Sequence, residues 1–162
     1  MNNELNIAAV QARMIWHQPE ENFKHFNELV SGIEGTDLIV LPEMWASGFT
    51  MNAQKFHSYT DHAVSLMKEW STDTKAALLG SLIVKEGDDF YNRLFYVLNG
   101  AVESYYDKRH LFAYAGEDRH FKPGSERLII DINGWKIFPN ICYDLRFPVW
   151  CRNEDDYDVL IF

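Results

Sequence analysis

Three residues in this chain have types and settings that suit chemistry: Glu43, Lys108 and Cys142. Each follows an apolar run that reads as a strand. Glu43 comes just after Leu38-Ile39-Val40-Leu41, in Leu41-Pro42-Glu43-Met44-Trp45. Lys108 follows the run 101–106, in Tyr106-Asp107-Lys108-Arg109-His110-Leu111-Phe112, and Cys142 closes a run containing Ile137, Phe138 and Ile141. In open α/β folds, ligands bind beyond the carboxyl ends of strands. A carboxylate, an ammonium and a thiol gathered there suffice for acyl transfer: a base takes the thiol proton, sulfur attacks carbon, and the cation with a backbone N–H holds the oxyanion. Taken singly, each residue has a plainer reading. Glu43 reads as a solvated loop residue or cap, Lys108 as a surface charge, and Cys142 as a buried structural thiol.

The surroundings of Cys142 sharpen the contrast. Pro148 is tolerated in a helix's first turn and marks where a short helix begins. Cys142 is then expected at a strand-to-helix bend near unpaired backbone N–H groups, a setting that eases thiolate formation. Asp144 and Arg146 flank that turn and read as an ion pair or cap, with Arg146 also suited to receive a carboxylate. Cys151 reads as a packed thiol in the following helix.

The elements that must position these groups follow from periodicity. Residues 5–11 form a short apolar run, a buried strand. From 19 to 33, Phe23, Phe26, Leu29, Val30 and Ile33 recur at helical spacing with Glu20, Glu21, Lys24 and Glu28 opposite. A second run, 37–41, ends at Pro42. Strand, helix and strand within about forty residues predict a crossover with parallel strands. Residues 61–74 repeat the helical pattern and 76–84 read as a strand. Asn99-Gly100 then predicts a hairpin between 93–98 and 101–106, and Asn133-Gly134 another between 128–132 and 135–141. One mixed sheet is expected, parallel first and antiparallel later. Residues 158–162 read as a further buried strand.

Composition excludes several roles. At 162 residues with 47% hydrophobic content, the chain is one globular domain. Its formal net charge of -9, with no basic cluster, argues against a nucleic-acid partner. There is no membrane-length apolar run and no basic leader, so neither membrane insertion nor export is expected. Two cysteines offer no disulfide framework, and a cytoplasmic location fits. None of the six histidines has metal-ligand spacing, and no glycine-rich phosphate loop exists, so no metal and no cofactor are expected. His110, two residues beyond Lys108, reads as an orienting residue at most.

At its three chemical stretches the sequence resembles the nitrilase superfamily of carbon–nitrogen hydrolases. The matching motifs are Leu41-Pro42-Glu43-Met44 with Ser47-Gly48-Phe49, the Tyr106-to-Phe112 stretch, and Cys142-Tyr143-Asp144-Leu145-Arg146-Phe147-Pro148-Val149-Trp150. Together they are most similar to the omega-amidase branch, and the likeness runs from about residue 5 to residue 162. It implies Glu43 as general base, Lys108 as oxyanion stabiliser and Cys142 as nucleophile, with the Tyr143 backbone N–H at the oxyanion. Glu117, in Gly116-Glu117-Asp118-Arg119-His120-Phe121, falls where many members carry a further active-site glutamate; a solvated loop is the plainer reading.

The resemblance implies an α/β fold, an α-β-β-α sandwich with a mixed sheet, paired across a homodimer or higher homo-oligomer. The substrate it implies is a small linear carboxamide, above all a 2-oxo dicarboxylic acid monoamide, with Arg109 or Arg146 as partner of the distal carboxylate. Nitrile or N-carbamoyl substrates would use the same trio. Residues 1–162 read as the N-terminal portion of the hydrolase domain, ending inside a predicted strand. The rival expectation is a non-catalytic fragment or assembly module whose trio is never correctly assembled.

Overall fold

The computed structural model describes residues 4–162. Five strands make the first sheet in sequential spatial order: β1 (Ile7–Ala9), β2 (Leu38–Val40), β3 (Ala77–Glu86), β4 (Asp89–Leu98) and β5 (Ala101–Asp107). Helix α1 (Pro19–Ser31) links β1 to β2, while α2 (Ala53–Phe56) and α3 (Thr60–Thr74) lie between β2 and β3. These crossovers leave β1, β2 and β3 parallel, as expected for such connections. Tight turns then reverse the chain twice, so β3, β4 and β5 are antiparallel. Asn99 (φ 50°) and Gly100 (φ 77°) both adopt the left-handed region that a type I′ turn demands.

The second hairpin corrects the expectation of one sheet. Asn133 (φ 56°) and Gly134 (φ 90°) join β6 (Ile130–Ile132) to β7 (Trp135–Pro139), and β8 (Val159–Ile161) adds parallel to β7. These three strands form a separate sheet. The reason lies in the period-two pattern of the first sheet, whose strands are apolar on both faces. Ile39, Leu78, Leu82 and Val97 pack against Phe26 and Val30 of α1 and Met67 and Trp70 of α3. Their sequence neighbours Leu38, Ala77, Leu79, Leu94 and Tyr96 face the other way and meet Ile130, Ile132 and Ile137 of the second sheet. The order is helices, sheet, sheet, and the fold is mixed α/β as expected.

Several boundaries differ from the sequence reading. The run 5–11 pairs as strand only over Ile7–Ala9, and β4 begins at Asp89 rather than at 93. The helix expected from Pro148 does not form. A 3₁₀ segment, Cys142–Arg146, begins at the cysteine itself, and residues 148–151 are turn. Asp144 explains the early start: its carboxylate accepts the Ile141 N–H at 3.1 Å, while its own N–H donates to the Ile141 carbonyl. Cys151 therefore sits in a turn, its sulfur 3.6 Å from the Asp144 carbonyl oxygen.

Candidate active site

Strand direction brings the three candidates to one end of the molecule. β2 is parallel to β3, and two antiparallel steps make β5 run the same way. Glu43 and Lys108 thus leave the carboxyl ends of like-directed strands. Asn92, opposite Ile83 in β4, lies at that end too, and its carbonyl accepts the Lys108 N–H at 3.0 Å.

Lys108 is the centre of the polar cluster. Its Nζ donates to Glu43 Oε1 at 2.7 Å and to Glu117 Oε2 at 2.8 Å, with the lysine and Glu117 side chains fully buried and Glu43 16% exposed. Burial would lower the pKa of this lysine, but the two carboxylates outweigh it and hold the value above the ordinary one. The shift favours the ammonium form, a hydrogen-bond donor. Glu117, on the 3₁₀ segment Glu117–Arg119, also accepts the Phe112 N–H at 2.6 Å. It is a buried, hydrogen-bonded residue rather than a solvated loop carboxylate. The Phe49 ring lies 5.4 Å from Nζ and helps to cover the charge.

Cys142 has φ 41°, a left-handed backbone that a β-carbon makes costly by roughly 1–3 kcal/mol. It stands exposed as the first residue of the 3₁₀ segment, which places the Tyr143 N–H in the segment's first turn, among donors without partners inside the turn. The expectation of an easily formed thiolate is corrected. Although the residue reaches solvent, partial desolvation of its sulfur, then the nearby charge of Glu43, push the thiol pKa up to about 11 against the smaller opposing effect of Lys108. The raised value favours a neutral thiol, in one cleft with the Glu43 carboxylate. A cleft of about 350 Å³ lies over the pair, lined by Glu43, Cys142 and apolar residues including Leu94, Leu145 and Ile161.

Comparison with known proteins places this geometry. Residues 6–162 match the carbon–nitrogen hydrolase family. The chain belongs to that family. Among similar proteins is the omega-amidase YafV of Escherichia coli strain K12, 40% identical over 158 residues that cover 98% of this chain and 62% of that protein. A 2-oxoglutaramate amidase of Bacillus subtilis is 28% identical over 155 residues, 91% of this chain and 59% of that protein. The crystal structure of XC1258 from Xanthomonas campestris, a CN-hydrolase superfamily protein with an arsenic adduct in its active site, superposes with a TM-score of 0.90 at 35% identity. That match covers 97% of this chain and 64% of that one. The chain thus spans about three fifths of the length of these relatives.

In this carbon–nitrogen hydrolase chain a buried carboxylate ties the thiol's turn to the lysine's loop. Asp144, fully buried, accepts from Ile141 N, the Tyr106 hydroxyl (2.8 Å), His110 N (2.9 Å) and His110 Nδ1 (2.8 Å). It is a cap, one of the two readings the sequence offered, and His110, bound to it, stacks on Phe147 at 3.7 Å. Arg109 and Arg146 lie elsewhere. Both line a separate groove with Arg127, Phe147 and Trp150, not the cleft over Glu43 and Cys142, and Arg109 donates to the Gly124 carbonyl oxygen at 3.0 Å.

Sequence reasoning missed Asn92. Its Nδ2 donates to Glu43 Oε1 at 2.8 Å and Glu117 Oε1 at 3.1 Å, and the residue is fully buried. A signal was present in the alternation Asn92, Leu94, Tyr96, which puts a polar residue in the phase of two buried ones. Among the described residues no group of three or more His, Cys, Asp or Glu is placed to hold a metal ion. No helix among them is long and apolar enough to cross a membrane.

Proposed function

We propose that this chain supplies the catalytic trio of an amidase that hydrolyses small linear carboxamides through a cysteine thioester. The observation that carries the reading is the Glu43 carboxylate, held through Oε1 by Lys108 Nζ at 2.7 Å and lining one cleft with the Cys142 thiol. Glu43 takes the thiol proton as sulfur attacks the amide carbon, and Lys108 with the Tyr143 N–H receives the charge that develops on oxygen. The C–N bond then breaks and ammonia leaves with the proton from Glu43. Water adds to the thioester, giving a proton to the same carboxylate. The C–S bond breaks, the acid departs, and Glu43 returns the proton to sulfur. Every proton and bond change is served by side chains of the cluster.

For the substrate we propose short dicarboxylic acid monoamides, above all the 2-oxo acids derived from glutamine and asparagine. Support comes from the likeness to an omega-amidase and a 2-oxoglutaramate amidase and from the modest cleft volume. The free thiols of Cys142 and Cys151 support a reducing, cytoplasmic setting. The test is ammonia release from a panel of such monoamides, longer aliphatic amides and aromatic nitriles. Higher kcat/KM for the monoamides is expected, and aromatic nitriles outperforming them would overturn the assignment.

A further inference from the structure

The amide of Asn92 does something that stability alone does not favour. Both of its N–H bonds go to carboxylates, one to Glu43 and one to Glu117, and its Oδ1 is left buried without a hydrogen-bond partner. Turning the amide over would set that oxygen against two anions, so the carboxylates dictate the orientation. An unpaired buried carbonyl is normally selected against and asks for an explanation. The bridging hydrogen bonds are the explanation the geometry offers.

Two donors converge on a single oxygen of Glu43. Lys108 Nζ arrives from the end of β5 and Asn92 Nδ2 from β4, both on Oε1. Lys108 alone is a point charge on a flexible stem and leaves the carboxyl plane free to turn. A second donor from a rigid strand removes that freedom and directs the other oxygen away from the pair. We propose that Asn92 is a positioning residue that aims the free oxygen of Glu43 at the Cys142 thiol, and that it holds Glu117 in the same frame. The proposal rests on Glu43 being the base, and it goes beyond the trio by naming what fixes that base. The Glu43 side chain is 16% exposed, so without Asn92 it has a path to swing toward water.

The experiment reads the placement of Glu43 without relying on turnover. The rate of Cys142 alkylation by iodoacetamide, followed by peptide mapping across pH, is compared in the wild-type chain, Asn92→Leu and Glu43→Gln. The charged groups whose fields act on the sulfur are Glu43, Lys108 and Glu117. Glu43→Gln removes a negative neighbour and should lower the alkylation midpoint below the raised wild-type value. In Asn92→Leu the midpoint should fall in the same direction by about half a pH unit or more, because the carboxylate no longer sits against the thiol. On the best amide from the substrate panel, kcat should drop by about 10–100-fold with KM within about threefold, as expected when a base is mispositioned but binding is not. If Asn92→Leu fails to fold, Asn92→Ala, which adds no bulk, should show the same shift. An alkylation curve superimposable on wild type in a folded variant overturns the proposal, whatever happens to kcat. Absence of amidase activity in the wild-type chain would sink the amidase reading instead, and the alkylation curves would still decide the role of Asn92.

Discussion

Lys108 shares one positive charge between two carboxylates in a largely buried cluster, and both stability and the proposed chemistry depend on that sharing. Removing the ammonium in Lys108→Met leaves Glu43 and Glu117 uncompensated, the situation in which a broken buried pair costs about 3–5 kcal/mol. A denaturant melt should show that loss together with loss of turnover. The pKa of Lys108 is raised, so the stability it adds is complete below the ordinary lysine value and fades only as pH climbs through the higher one. The deficit of Lys108→Met should therefore be constant between about pH 7 and 9 and shrink only in stronger alkali; a deficit that changes across that window would contradict the charge assignment. Cys142→Ser is the complementary change, with turnover abolished and the melt within about 0.5 kcal/mol of wild type. Glu43, Lys108 and Cys142 could be singled out in the sequence because all three follow apolar runs and sit in motifs that resemble one family, although each alone has a plainer reading. Asn92 could not, because its role depends on the register that sets it beside Lys108. The raised thiol pKa was hidden for a similar reason: a helix start read from Pro148 says nothing of a carboxylate arriving from residue 43.

Among the elements, the loop carrying Lys108 is closely enclosed by backbone from Gly124. Gly124 donates its N–H to the Lys108 carbonyl at 3.0 Å, and a β-carbon at Gly124 would lie 2.2 Å from the Asp107 carbonyl oxygen. Backbone meets backbone there, and neither side has a flexible end to give way. Gly124→Ala should cost about 1–3 kcal/mol as an overpacked site and should lower kcat by displacing Lys108 from Glu43. Thermal melting and turnover measured on one preparation check this. A variant with wild-type melting and activity would mean that the loop relaxes freely. Elements set by local chemistry were readable from sequence, as with the two Asn-Gly hairpins and the helix that begins at Pro19. The 3₁₀ segment at Cys142 was not, since the buried Asp144 that starts it is held by Tyr106 and His110 from far along the chain.

The molecule as a whole is layered, and its layers explain why one predicted sheet became two: residues on both faces of β3 and β4 are apolar, so each face needs a cover. The second sheet leaves β8 at an edge, and Leu145, Val149 and Phe162 are 59%, 72% and 41% exposed. Open edges and exposed apolar side chains favour association. The 162-residue chain should therefore scatter light as a species larger than its 19.0 kDa monomer, and Val149→Lys should shift it toward that mass. A monomer at tens of micromolar would show that these surfaces do not associate. A merely structural or assembly role would leave the trio without chemistry, and one measurement separates that role from thioester catalysis. The Glu43→Gln variant is mixed with an activated ester of a short dicarboxylic acid, quenched in acid and mapped by mass spectrometry. Thioester catalysis predicts an acyl group on the Cys142 peptide, accumulating because deacylation lacks its base. No acyl adduct, or one on Cys151 instead, would contradict it.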